Sequence, residues 1–432
     1  MFVSDSLGIN EKGNLSIGGV DTVALAKEFK TPLYVMSEDG IRKNCRSFKD
    51  AVDKYYDGNG LILYASKAFC CKEICRVINS EGLGLDVVSG GELYTALSVS
   101  FPAERIYFHG NNKSPEEIFY AVENKVGCIV VDHIDELDVI NSAAEKCNTK
   151  QKVMLRIKPG IDAHTHEFIK TGQIDSKFGF TLEHNEAMNA VKKAIELENI
   201  DLCGIHCHIG SQIFDEQPFE FAAKIMINFL YEIKNETGIE LERLNLGGGF
   251  GIKYLKGDMA IPFENYIQKA SQVVKQECQN KGIAVPFILM EPGRAIVGSE
   301  GITLYTVGFV KDIPNVRKFV SVNGGMSDNP RFALYQAEYT AVVANRAGEI
   351  ADDVVTIAGK CCESGDLIQK DCPIQNAKTG DILAVLSTGA YNYSMASNYN
   401  RIPKPPVVFV KNGEARLVVR RESYDDVLKS DI

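Results

Sequence analysis

The sequence predicts a (β/α)₈ barrel followed by a mostly antiparallel β domain. Three observations lead there. A chain of 432 residues is long for a single hydrophobic core. From about residue 60 to 295, short apolar runs alternate with longer amphipathic stretches. Beyond about residue 300 the alternation stops, and β-like runs are separated by Gly, Pro and Asp.

The apolar runs are LILYA (61–65), GLDVV (84–88), RIYFH (105–109), CIVVD (128–132), KVMLRI (152–157), LCGIHCH (202–208), RLNLG (243–247) and PFILME (286–291). Between them lie segments of helical periodicity such as EEIFYAVEN (116–124) and FEFAAKIMINFLYEIKN (219–235). Eight strands alternating with helices suit a closed parallel barrel, with a doubly wound open sheet as the rival. We divide the chain into an N-terminal segment (1–30) packing with the β domain, a barrel (31–295) and a C-terminal β domain (296–432). ITLYTVGFVKDI, KFVSVNG, AVVANR and VVTIAG are the first strands of the last.

The net charge of −10 is spread along the chain rather than gathered in a tail, which argues against nucleic-acid and anionic-membrane partners. The N-terminus has neither a basic region nor an apolar core of the secretory type, and no apolar run approaches a membrane span. Twelve cysteines form no zinc pattern; Cys70, Cys71 and Cys75 contain no C-x-x-C. Most of them read as buried thiols in a reducing compartment, so a cytoplasmic protein is expected.

Barrel chemistry sits where strands end and βα loops begin. The residues at those points are Lys67, Ser89, His109, Asp132, Arg156, His208, Gly247 to Gly249, and Glu291. The loop Gly247-Gly248-Gly249-Phe250-Gly251 exposes backbone N–H groups that can cradle a phosphate, and Glu291-Pro292-Gly293-Arg294 follows the next strand. Tight turns need glycine too, so position carries this reading more than composition does. Lys67, in YASKA, is either a surface lysine or a partly desolvated Schiff-base lysine near a bound phosphate. His206 and His208 alternate along a strand and point to one side. A metal there lacks an acidic or third imidazole partner nearby in sequence, so no metal is expected; a stacking or hydrogen-bonding histidine is the better reading.

The chain resembles the diaminopimelate decarboxylases, pyridoxal-phosphate enzymes of the alanine-racemase-like fold type. The residues that carry the resemblance are YASKA (64), DVVSGGEL (86), HGNNKS (109), HCHIGSQ (206), LGGGFG (246), EPGR (291), GGMSDNPR (324), ALYQAEY (333), CESGD (362) and GAYNYSMASNYN (389). Several are shared with ornithine and arginine decarboxylases. The combination of HEFIKTG (166–172), CESGD and SMASNYN is specific to the diaminopimelate branch.

The resemblance implies the cofactor pyridoxal 5′-phosphate and gives each matched residue a role. Lys67 resembles the lysine of the internal aldimine, His208 the histidine that stacks on the pyridine ring, and Ser211 a phosphate ligand. Gly247, Gly248, Gly249, Glu291, Pro292, Gly293, Arg294 and Tyr391 resemble the rest of the cofactor shell, with Glu291 at the ring nitrogen. Substrate contacts are implied for Arg294, Arg331, Tyr335, Glu363 and Tyr391, and Cys362 resembles a proton donor contributed across a homodimer interface. The implied reaction converts meso-2,6-diaminopimelate to L-lysine and CO₂. Two arginines and a glutamate match the distal carboxylate and ammonium of that substrate. Two residues depart from the family pattern: Asn323 stands where Asp is usual, and Phe332 where Pro is usual. The competing expectations are a decarboxylase of another amino acid (D-ornithine, D-lysine, arginine or carboxynorspermidine) and a non-catalytic pyridoxal-phosphate-binding relative. Lys67 and Cys362 together count against the second.

Overall fold

The computed structural model describes residues 2–160 and 176–432, so the HEFIKTG motif (166–172) lies outside the described residues. The chain forms two compact units. One takes residues 1–43, 252–259 and 296–432; the other takes 44–251 and 260–295.

The chain begins with β1 (Leu7–Ile9), β2 (Leu15–Ile17) and β3 (Val20–Asp21), a small antiparallel sheet, and then β4 (Leu33–Ser37). The barrel follows with β5 (Gly60–Ala65), β6 (Gly84–Val87), β7 (Ile106–Phe108), β8 (Cys128–Val131), β9 (Gln151–Lys158), the short β10 (Phe180–Thr181), β11 (Ile200–His206), β12 (Arg243–Asn245) and β13 (Phe287–Met290). Every pairing from β5 through β9, β11, β12 and β13 back to β5 is parallel, and β10 adds to β9 outside the ring. The predicted eight-stranded barrel is therefore present, and closure rules out the open-sheet rival. Strands packed on both faces need unbroken apolar runs, which is why these segments lack a polar alternation. Leu63, Tyr107, Cys128, Val130, Met154, Cys203 and Leu289 form one buried cluster of barrel side chains. Each fully buried aliphatic side chain of this kind contributes about 1.5–3 kcal/mol.

The intervening helices carry their own boundary signals. Ser114 caps the helix Pro115–Glu123 through a capping box with Glu117. The helix Gln217–Thr237 ends on Gly238, whose backbone is left-handed.

The other unit is built on β14 (Gly301–Ile313), β15 (Arg317–Val322), β16 (Ala341–Val343), β17 (Asp353–Ala358), β18 (Leu367–Ile374), β19 (Ile382–Val385), β20 (Val407–Lys411) and β21 (Glu414–Val419). Its sheet runs β18-β17-β15-β14-β4-β20-β21, with β19 beside β14 and β16 beside β19. Most pairs are antiparallel; β15–β17 and β4–β20 are parallel. Residues 31–43, expected with the barrel, cluster here instead, because β4 pairs with both β14 and β20. Leu7, Leu15, Ile17 and Leu25 share a core with Ile302, Leu304, Val342 and Val408.

Candidate active site

The C-terminal ends of the barrel strands gather a buried polar cluster around Glu291, just past β13. Asn245, the last residue of β12, donates its Nδ2 to Glu291 Oε1 at 2.6 Å, while its Oδ1 accepts the Gly247 N–H at 2.9 Å. His206, ending β11, sets Nε2 3.1 Å from Glu291 Oε2. His109 Nε2 lies 2.8 Å from Glu291 Oε1, at an angle short of a well-formed hydrogen bond, and 3.8 Å from Asp86 Oδ1. The two imidazoles meet edge to face with centroids 4.9 Å apart. Burial alone would raise the Glu291 carboxyl, but the His109 and His206 rings outweigh it and hold the group well below the usual carboxylate range. Burial pushes His206 down to about 4, so its ring is neutral near pH 7. Asp86 is raised by burial and by its neighbour Glu291. Two nearby carboxyls are thus pushed apart, and Glu291 keeps the negative charge.

The loops around this cluster need glycine. A Cβ on Gly248 would lie 2.1 Å from the Glu291 carbonyl oxygen, and Gly247 has a left-handed φ of 69°. The Gly248 N–H donates to His208 Nδ1 at 3.2 Å, which leaves the ring proton to Nε2. Burial, together with the Lys67 and Arg156 cations, holds His208 neutral. Ser211 accepts a hydrogen bond from Arg294 Nη2 at 3.0 Å. Lys67 sits in a short 3₁₀ turn directly after β5, with its side chain exposed. Pro292 and Gly293 are buried beside it in the chain order Glu291 to Arg294; Pro292 O accepts the Ala65 N–H at 3.2 Å, tying this loop to the end of β5.

Other strand-end residues do structural work. Ser89 caps the helix Gly90–Leu97 by accepting the Glu92 N–H. Asp132 accepts the Gly179 N–H and lies 3.7 Å from Arg156, whose guanidinium covers the Phe178 ring at 4.2 Å.

The remaining predicted residues belong to the other unit. Arg331 is buried, and its Nη1 donates to Tyr339 Oη at 2.7 Å and Tyr254 Oη at 3.1 Å. The rings of Tyr254, Tyr339 and Tyr391 lie 5.2, 5.7 and 5.9 Å from the guanidinium. Tyr391 has a left-handed φ of 69°, a conformation that costs an aromatic residue about 1–2 kcal/mol and collects at functional sites. Tyr335 is half-buried at the end of the helix Arg331–Tyr335. Cys362 and Glu363 are exposed, whereas the neighbouring Cys361 is buried with its thiol pushed up by burial and by Asp366. Of the two adjacent cysteines, Cys362 is the one open to chemistry.

A family model for the pyridoxal binding domain of pyridoxal-dependent decarboxylases matches residues 38–298. The diaminopimelate decarboxylase of Bacillus subtilis (strain 168) is 50% identical over 435 aligned residues, covering 100% of this chain and 98% of its own. That of Bacillus methanolicus is 51% identical, with 98% of each chain covered. This chain belongs to the diaminopimelate decarboxylases. The crystal structure of the diaminopimelate decarboxylase from M. jannaschii in co-complex with L-lysine superposes with a TM-score of 0.93 at 37% identity, covering 100% of this chain and 99% of that one.

The diaminopimelate decarboxylases use pyridoxal phosphate, and the residues of this barrel suit it. A clamped, anionic Glu291 matches a protonated pyridine nitrogen, the glycine loop offers N–H groups to a phosphate, and Lys67 supplies an amine. Asp86 Oδ1 and His206 Nδ1 are buried without a hydrogen-bond partner among the described residues, as expected of groups that border a polar ligand. Against the sequence expectation, an acidic and a third imidazole partner do reach His206: the donor atoms of His109, His206 and Glu291 lie within 4.8 Å of one another. They come from separate strands, so no local spacing shows them. Asn245 and Asp86 join the site without having been expected there; Asp86 is the one polar residue of an otherwise apolar strand, whereas Asn245 shares its strand with Arg243 and carries no such signal. The two departures from the family pattern are structural here. Asn323 donates to Thr31 Oγ1 at 2.8 Å and accepts the Thr306 N–H at 2.9 Å, bridging the two threonines, and Phe332 is buried.

Proposed function

We propose that this enzyme decarboxylates meso-2,6-diaminopimelate to L-lysine, with the residues of the Glu291 cluster, the Lys67 turn, the Arg331 box and the Cys362 loop in distinct roles. The observation that carries the assignment of roles is the clamp on Glu291, in which Asn245 and His206 hydrogen-bond one buried carboxylate and His109 lies against it. Bound pyridoxal phosphate supplies the electron sink for the carbon that loses CO₂. Lys67 would hold the cofactor through its side-chain amine. Glu291 keeps a proton at the ring nitrogen, and a fixed carboxylate does so without reorganising. His208 would hold the pyridine ring; Ser211, Arg294, the N–H groups of Gly247 to Gly249 and the backbone of Pro292 and Gly293 would hold the phosphate.

At the substrate's far end, Arg331 and Arg294 suit a carboxylate and Glu363 an ammonium, with Tyr335 and Tyr391 lining the path. The tyrosines around Arg331 bring hydroxyls and ring faces but no negative charge, so a buried cation is left with an appetite for an anion. Cys362 delivers the proton to the carbon from which CO₂ departs. We place Cys362 and Glu363 in the barrel site of a second subunit, making the working unit a homodimer. No helix among the described residues is long and apolar enough to cross a membrane. All twelve cysteines are free, and we place the enzyme in the cytoplasm.

Turnover of meso-diaminopimelate, compared with D-ornithine, D-lysine, arginine and carboxynorspermidine, tests the assignment. The expected result is lysine and CO₂ in equal amounts, with diaminopimelate preferred. A preference for any of the others overturns it.

A further inference from the structure

The branch-specific motif SMASNYN takes no part in the roles above, yet it meets the Cys362 loop directly. Asn400 Oδ1 accepts the Cys362 backbone N–H at 2.8 Å. One residue earlier, the Cys361 N–H donates to Asp366 Oδ2 at 2.6 Å, and the Met326 N–H donates to Asp366 Oδ1 at 2.6 Å. The loop closes on itself through Glu363 N to Cys361 O and Asp366 N to Glu363 O. Ser397 N donates to Ser327 O and Lys360 N to Gly324 O, both at 2.8 Å. Three motifs distant in sequence, GGMSDNPR, CESGD and SMASNYN, are therefore tied together around one cysteine.

Their local geometry is built for this. A Cβ on Gly325 or Gly359 would lie 2.5 or 2.2 Å from Asp366 Oδ2, so glycine is required where the carboxylate packs. Asn400 adopts a left-handed backbone (φ 51°, ψ 25°), and Arg401 follows with φ 58°. Asparagine tolerates that conformation better than most residues, and it turns the amide towards the Cys362 N–H. Asn398 fixes the start of the turn by donating to Ile402 O at 3.0 Å and Glu422 Oε2 at 2.7 Å. Cys362 itself is exposed, and the backbone N–H bonds at 361 and 362 tie its Cα to Asp366 and Asn400.

We propose that Asn400, with Asp366, is a positioning residue that sets the line along which Cys362 delivers its proton. The proposal rests on the reading of Cys362 as proton donor. In the step it serves, the C–CO₂⁻ bond breaks, its electron pair stays with the carbon, and the Cys362 S–H proton forms the new C–H bond; water then restores the thiol. A misplaced thiol slows that transfer and lets solvent protonate the carbon from either side.

The test uses holoenzyme with Asn400→Gly, which keeps the left-handed backbone and deletes only the side chain, and Asn400→Asp, which retains the acceptor. For Asn400→Gly, kcat falls about ten-fold with KM for diaminopimelate within about two-fold, because proton delivery and not substrate binding is impaired. Turnover in D₂O gives lysine labelled in both configurations at the carbon that lost CO₂, where the wild type gives one. Hydrogen exchange of residues 359–367 speeds up in the same variant, and Asn400→Asp restores all three. Faster exchange with kcat and label configuration unchanged overturns the proposal. Cys362→Ala separates the two readings: if that variant keeps wild-type kcat and a single label configuration, the proton-donor role fails whatever Asn400 does.

Discussion

Asn245 donates its amide to Glu291 across neighbouring barrel strand ends, at 2.6 Å, and accepts the Gly247 N–H with its other end. One side chain thus joins the candidate phosphate loop to the candidate ring-nitrogen carboxylate. From this relationship we predict that Asn245→Leu lowers stability by roughly 1–3 kcal/mol, because a buried carboxylate and a buried N–H both lose a partner. Urea denaturation measures the loss. Glu291→Gln should lower kcat by about 10²-fold or more, by removing the charge that keeps the ring nitrogen protonated. Wild-type kcat in that variant would remove Glu291 from the chemistry.

The neutral state of His206 predicts how stability depends on pH. Its folded value of about 4 lies below the unfolded imidazole near 6.5. Between those values the unfolded chain binds the extra proton. The stabilisation is fully present above about pH 6.5 and is lost as the pH falls towards 4, on the order of 3 kcal/mol in all. The depressed Glu291 acts in the same direction, at lower pH. Urea midpoints from pH 7.5 to 4.5 should fall in the wild type and fall less in His206→Gln. An equally steep fall in the variant would assign the titration elsewhere.

Lys67, in the turn after β5, is the amine we assign to the cofactor. Lys67→Ala should lose the visible absorbance of lysine-bound pyridoxal phosphate and at least about 10³-fold in kcat. Retention of both would show that another amine serves.

The tyrosine-lined Arg331 predicts substrate choice. Arg331→Lys should raise KM for diaminopimelate at least about ten-fold, since a point charge cannot reproduce a forked carboxylate contact. Tyr339→Phe, which removes the 2.7 Å partner but no volume, should raise it by a smaller factor. Unchanged KM in Arg331→Lys moves the distal carboxylate to another residue.

The proposed sharing of the site between two subunits predicts complementation. Lys67→Ala and Cys362→Ala chains, each inactive alone, should regain activity when mixed, because a mixed dimer holds one site with both lesions and one with neither. Recovery should approach half the wild-type activity per mixed dimer. Subunit exchange shown by a mass or fluorescence label, with no recovery, would place both residues in one subunit's site.

Much of this protein is written in local pattern. The eight barrel strands are readable as apolar runs because a doubly packed strand needs no polar face, and the glycine loop and Lys67 are readable because strand ends are fixed by the same runs. The tertiary structure alone decided the partners. β4 (Leu33–Ser37) reads as any strand, yet it pairs with β14 and β20, and residues 252–259 join the same unit through contacts such as Thr340 Oγ1 to Tyr254 O. Glu291 is clamped by residues 46 and 85 positions away in sequence, and Cys362 by one 38 positions away. Closing the barrel and folding the β unit bring these groups within hydrogen-bond reach. No periodicity or spacing encodes such a meeting, because it depends on where whole strands end relative to one another in space.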